Sequence, residues 1–86
     1  MPRSKDPQIG LARAIKKVRT EADLTQRALA RKMEMNPSQV SRLEKGTENP
    51  SWATVRRIAA ALEVTLAELA EVAEDFERRL RKNPLG

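Results

Sequence analysis

Eighty-six residues with no cysteine, histidine or tyrosine and a net charge of +5 suffice for one small domain. The missing residue types exclude disulfides and thiolate metal sites and remove the usual acid–base and nucleophilic groups, so neither an enzyme nor a cofactor or metal protein is expected. No apolar run reaches the length of a membrane span, and the opening MPRSKDPQ has no apolar leader region, so a cytoplasmic protein without membrane contact is expected.

The charge is segregated along the chain. Residues 1–62 carry thirteen Lys and Arg against six Asp and Glu (+7), residues 63–77 carry six acids and no base (−6), and residues 78–82 add four bases, which sums to +5. A basic body ahead of an acidic segment suits an anionic partner at the front, although a solvated surface of uneven charge has the same composition. No segment sustains apolar–polar alternation, and Ala, Leu, Arg, Lys and Glu dominate, which predicts an all-α fold.

Residues 1–5 read as a flexible basic arm, and a single domain then occupies 6–69. The first helix is expected at about 7–22, capped by Asp6 with Pro7 at its first position, and with Leu11, Ile15, Val18 and Ala22 as its buried stripe. The second is expected at 26–33, with Thr25 as cap and Leu29, Ala30 and Met33 inward. The third, at 37–45, has Asn36 as cap, Pro37 at the first position, Gln39 as capping-box partner and Gly46 as left-handed stop. The fourth, at 52–62, follows Ser51 and is expected to turn Trp52, Val55, Ile58, Ala59 and Leu62 inward. The fifth opens on the capping box Thr65-Leu66-Ala67-Glu68 and is expected to run over 66–82, ahead of Asn83-Pro84.

The third helix raises the functional question. Only Glu34, Met35 and Asn36 separate it from the second, so the two must cross steeply over a small residue, which Ala30 supplies. Val40 and Leu43 make a minimal anchor. Pro37, Ser38, Gln39, Ser41, Arg42 and Lys45 then point away from the core. Ser, Gln and Arg suit the reading of base edges, and Arg above all, for its fork onto guanine. Glu44 is the helix's one acid and lies at its inward-turned end.

The stretch TQRALARKMEMNPSQVSRLEKG, Thr25 to Gly46, resembles the helix-turn-helix of the lambda-type repressors and Cro, the Xre-like regulators. The match lies in Gln26, Leu29-Ala30, Val40-Ser41, and Leu43-Glu44 followed by Gly46. NPSWATVRRIAAALEVTLAEL is similar to the segment that follows the recognition helix in that family, and the resemblance covers about residues 9–69. It implies a five-helix lambda-repressor-like DNA-binding domain, here with an extended fifth helix. It implies base contacts by Asn36, Pro37, Ser38, Gln39 and Arg42. Phosphate contacts are implied for Thr25, Gln26, Arg27, Ser41, Lys45, Thr47 and Asn49. Arg42 on its own residue type also suits a phosphate, and Arg13, Lys16, Lys17 and Arg31 suit either DNA or solvent. Arg19 and Glu44 match an Arg–Glu pair that ties the first helix to the third in similar proteins. Two positions depart from the family pattern. Glu34 stands where the turn usually has Gly, and Pro37 stands where a base-reading polar residue is common.

Leu66, Leu69, Ala73, Phe76 and Leu80 form a heptad-like seam on the fifth helix. The first half of this seam can finish the domain core, and Phe76 and Leu80 lie beyond what the five-helix domain needs; with residues 70–86 as an extension, Leu69, Ala73, Phe76 and Leu80 are expected at a homodimer interface, the alternative being that this helix folds back onto its own domain. The sequence therefore predicts a transcriptional regulator, most simply a repressor, that binds a palindromic operator in double-stranded DNA as a homodimer in the nucleoid. The competing reading is an antitoxin or other interaction module whose fifth helix takes a heterologous protein.

Overall fold

The computed structural model describes residues 8–82. The expected cap Asp6, the helix-opening Pro7, the arm over residues 1–5 and the tail after Lys82 lie outside the described residues.

Five helices follow one another: α1 (Ile9–Glu21), α2 (Gln26–Lys32), α3 (Pro37–Lys45), α4 (Trp52–Ala61) and α5 (Leu66–Lys82), with no strand among the described residues. Local chemistry sets their starts. Thr25 Oγ1 accepts from Ala28 N–H at 3.0 Å ahead of α2, and Ser51 Oγ from Thr54 N–H at 3.1 Å ahead of α4. At α5 the box is reciprocal: Thr65 Oγ1 accepts from Glu68 N–H at 3.0 Å, and Glu68 Oε1 from Thr65 N–H at 2.8 Å. Ahead of α3, Asn36 N–H donates to Gln39 Oε1 at 2.8 Å. α1 is preceded by Gln8, whose N–H reaches the Gly46 carbonyl at 3.0 Å and so ties the start of α1 to the end of α3.

The helix ends share a device that the sequence signals only at Glu34, where the family pattern has Gly. Asp23, Glu34 and Glu63 all adopt left-handed backbone, at φ 59°, 55° and 60°. Each closes a six-residue loop at a helix C-terminus. Leu24 N–H donates to Arg19 O (3.1 Å), Met35 N–H to Ala30 O (2.9 Å) and Val64 N–H to Ala59 O (3.0 Å). The residue that follows the acid is apolar in each case, and Leu24, Met35 and Val64 all pack against the core. Apolar–acid–apolar is thus the stop signal of α1, α2 and α4. Among α1 to α4, α3 alone stops on glycine, with Gly46 at φ 79°.

The core gathers Ala14, Ile15, Leu29, Ala30, Met33, Val40, Leu43, Ile58, Ala59, Leu62 and Leu69 from all five helices. Two expectations for its membership fail. Ala22 is exposed, because it is the C-cap of α1 and its turn has already left the core. Trp52, the first residue of α4, is 66 % exposed and lies at an apolar groove with Leu11, Val55 and Leu66 instead of in the core.

α5 packs along α1. Gly10 makes that approach possible: a Cβ there would collide with the Glu77 side chain and stand 2.8 Å from the Ala73 carbonyl oxygen. The fold-back alternative therefore describes the first part of α5. Leu69 is buried at 1 % exposure, and Ala73 packs against the core, so these two of the four expected interface residues belong to the protomer's own interior. Phe76 and Leu80 are half-buried and lie outside the core cluster, with the Arg79 guanidinium 5.6 Å from the Phe76 ring centroid.

Candidate nucleic-acid interface

α3 is held from below and presented above. Val40 and Leu43 are its only buried residues, and they rest on the Leu29–Ala30–Met33 side of α2. Asn36, Pro37, Ser38, Arg42 and Lys45 are exposed, and Gln39 and Ser41 are half-buried. The capping bond occupies Gln39 Oε1 and leaves its amide hydrogens as the outward donors.

The anchor of α3 to the rest of the domain is a buried ion pair. Arg19 Nε and Nη2 donate to the two carboxylate oxygens of Glu44 at 2.5 and 3.0 Å, and Arg19 Nη1 donates to the Leu24 carbonyl at 2.7 Å. The two side chains are 10 % and 4 % exposed. A fork-on-fork pair of this kind fixes both distance and rotation, so α1 sets the angle at which α3 leaves the surface. Glu44 is thereby neutralised beneath a face whose exposed charges on α3, Arg42 and Lys45, are positive.

Gln26, expected at a phosphate, has a partner within the domain. Its Nε2 donates to Glu44 Oε1 at 2.9 Å, and the side chain is half-buried. In this state Gln26 is the third member of the Arg19–Glu44 network. The hydroxyl of Thr25 likewise serves the α2 cap. Arg27, Thr47 and Asn49 are exposed around α3. Lys17 pairs with Glu21 on the α1 surface at 2.6 Å. Lys32 pairs with Glu63 at 3.2 Å, and Arg57 donates to the Met33 carbonyl, so these two cations tie the C-terminal end of α2 to α4 and the turn after it.

Arg42 has one neighbour that no local pattern in the sequence signals. Glu48 Oε2 stands 3.5 Å from Arg42 Nε, with both side chains about half exposed. The left-handed turn at Gly46 reverses the chain and returns Glu48 beside a residue six positions earlier. The glycine stop was legible in the sequence; which loop residue would meet Arg42 was not.

The family model described as a helix-turn-helix domain matches residues 11–72. The chain belongs to this helix-turn-helix family. It is a DNA-binding regulator of the Xre-like kind, a family of DNA binders and not of enzymes. Solved structures agree. The clp gene regulator ClgR from Corynebacterium glutamicum superposes with a TM-score of 0.74 at 25 % identity, covering 92 % of each chain. The restriction-modification controller protein C.AhdI from Aeromonas hydrophila gives a TM-score of 0.69 at 27 % identity, over 72 % of this chain and 94 % of its own. The wild-type controller protein C.Esp1396I gives 0.74 at 26 % identity, over 79 % and 88 %. No curated protein matches the chain in sequence. None of the described helices in this helix-turn-helix protein is long and apolar enough to cross a membrane.

Proposed function

We propose that this DNA-binding regulator is a repressor that occupies a palindromic operator as a homodimer, with α3 of each copy in the major groove. The observation that carries this reading is the division of labour on α3: two buried anchors, a buried Arg19–Glu44 strut, and exposed Ser38, Arg42 and Lys45 above them. Arg42 reads a guanine, and Asn36, Pro37, Ser38 and Gln39 complete the base contacts. Thr25, Gln26, Arg27, Ser41, Lys45, Thr47 and Asn49 set the register on phosphates, with Gln26 also bonded to Glu44 beneath them. Repression needs only occupancy of the operator, which a domain of this size provides. The protein works in the cytoplasm, on the nucleoid.

Two features support the dimer. Trp52 stands beside an apolar groove of about 270 Å³ lined by Leu11, Val55, Leu66, Leu69, Ala70 and Ala73, and Phe76 and Leu80 continue along α5. α5 is also charge-segregated, with acids at Glu68, Glu71, Glu74, Asp75 and Glu77 followed by Arg78, Arg79, Arg81 and Lys82. Antiparallel pairing of two copies sets the acidic half of one against the basic half of the other. The reading requires the two α3 helices of the pair to lie about one DNA turn apart, roughly 34 Å.

Light scattering at micromolar concentration tests the assembly. The expected result is a two-chain mass that Trp52→Glu or Phe76→Glu converts to one chain, with loss of binding to a two-half-site duplex. A one-chain mass in wild type, unchanged by both variants, refutes the homodimer. It would turn this face toward a heterologous protein, the reading that includes antitoxins.

A further inference from the structure

Glu48 is an acid on the surface that is meant to meet phosphates, and it faces the side chain best suited to base reading. We propose that Glu48 is a specificity-determining positioning residue: its carboxylate holds Arg42 by the Nε edge and keeps the guanidinium on the base edge and off the phosphates. The inference rests on the proposed reading of bases by α3.

The geometry supplies the argument. Glu48 Oε2 approaches Nε of Arg42, at 3.5 Å. A guanidinium held at Nε still offers the two terminal nitrogens, and these make the paired bonds to guanine O6 and N7. An unrestrained arginine on a half-exposed helix samples many rotamers and binds phosphate as readily as base. A carboxylate beside it changes that balance twice. It narrows the rotamers, and it repels the phosphate oxygens toward which the side chain would otherwise swing. Glu48 is placed by the Gly46 turn, whose carbonyl is bonded to Gln8 N–H at 3.0 Å, so the carboxylate sits on a loop fixed to α1.

Two effects of opposite sign follow for Glu48→Gln. Loss of a negative charge next to DNA strengthens binding to any duplex, by about 1.4- to 5-fold, the range of one exposed charge pair. Loss of the restraint on Arg42 weakens the preference for guanine at the position it reads, by about 5-fold or more. A carboxylate that only repels DNA produces the first effect without the second.

The test uses fluorescence anisotropy of the full chain at about 150 mM salt. The probes are a duplex recovered by selection with the wild type, the same duplex with its Arg42-dependent guanine replaced, and a scrambled duplex of equal length. Wild type, Glu48→Gln, Arg42→Ala and the double variant are compared. The expected result is tighter binding of the scrambled duplex by Glu48→Gln, a smaller guanine preference, and no further effect of Glu48→Gln on that preference once Arg42 is alanine. Equal tightening on all three duplexes overturns the proposal, while a guanine preference lost in Arg42→Ala shows that base reading by α3 still stands. A preference unaffected by Arg42→Ala overturns both.

Discussion

Glu44→Ala removes the acceptor for two of the three guanidinium nitrogens of Arg19 and for the amide of Gln26. Arg19 is only 8 % exposed and cannot recover its hydration without opening α1 from α3. Breaking a buried pair from one side costs about 3–5 kcal/mol. A chain of this length has a total stability of roughly 4–13 kcal/mol, so the variant is left with a small margin. At about 4–8 °C per kcal/mol for a domain of this size, even the lower figure lowers the melting temperature by more than about 10 °C. Thermal unfolding followed by circular dichroism at neutral pH reads this directly. The double variant Arg19→Met/Glu44→Leu separates the cost of an orphaned cation from the value of the pair. Because it removes both charges it should recover part of the loss, short of the whole, since the Leu24 carbonyl also loses its donor. A Glu44→Ala melting temperature within about 2 °C of wild type, or a double variant less stable than the single, would refute the strut.

Glu34→Gly relieves a left-handed residue and removes an acid from the C-terminal end of α2, so it should stabilise by about 1 kcal/mol and raise the melting temperature by about 4–8 °C; an unchanged or lower value counts against the strain argument. Asp23→Gly should behave alike, and Glu63→Gly slightly less well, because it also gives up the exposed pair with Lys32. Gly10→Ala should destabilise by roughly 1–2 kcal/mol, as overpacking against the Ala73 carbonyl outweighs the gain in helix propensity. Faster amide hydrogen exchange in α5 than in α2 would mark the site of the damage, and a more stable variant would contradict the close approach.

What the sequence made legible were the features written in local chemistry. The caps at Thr25, Ser51 and Thr65, the proline opening of α3 and the Gly46 stop are each signalled within a few residues, and α2, α3, α4 and α5 begin where those signals place them. The pairing of Arg19 with Glu44, 25 positions apart, was reachable only through the family resemblance; no local pattern encodes it. Other features were not settled by local pattern. Trp52 opens an apolar stripe by spacing, yet a first-turn residue faces wherever the preceding loop sends it, and here it faces outward. The Leu69–Leu80 seam has one periodicity whether its partner is α1 or another chain, and only the notch at Gly10 decides for its first half. The side-chain network also reassigned polar groups that looked free, with Gln26 drawn to Glu44 and Arg42 to Glu48.

The central claim is that α3 reads sequence, and selection from a random duplex library at about 150 mM salt tests it most directly, with wild type and Arg42→Ala run in parallel. The account predicts enrichment of a two-fold symmetric site by the wild type and loss of one guanine preference in each half-site by the variant. Retention of DNA at low salt with no enriched sequence would contradict it, and would reduce the basic face to a non-specific electrostatic footprint.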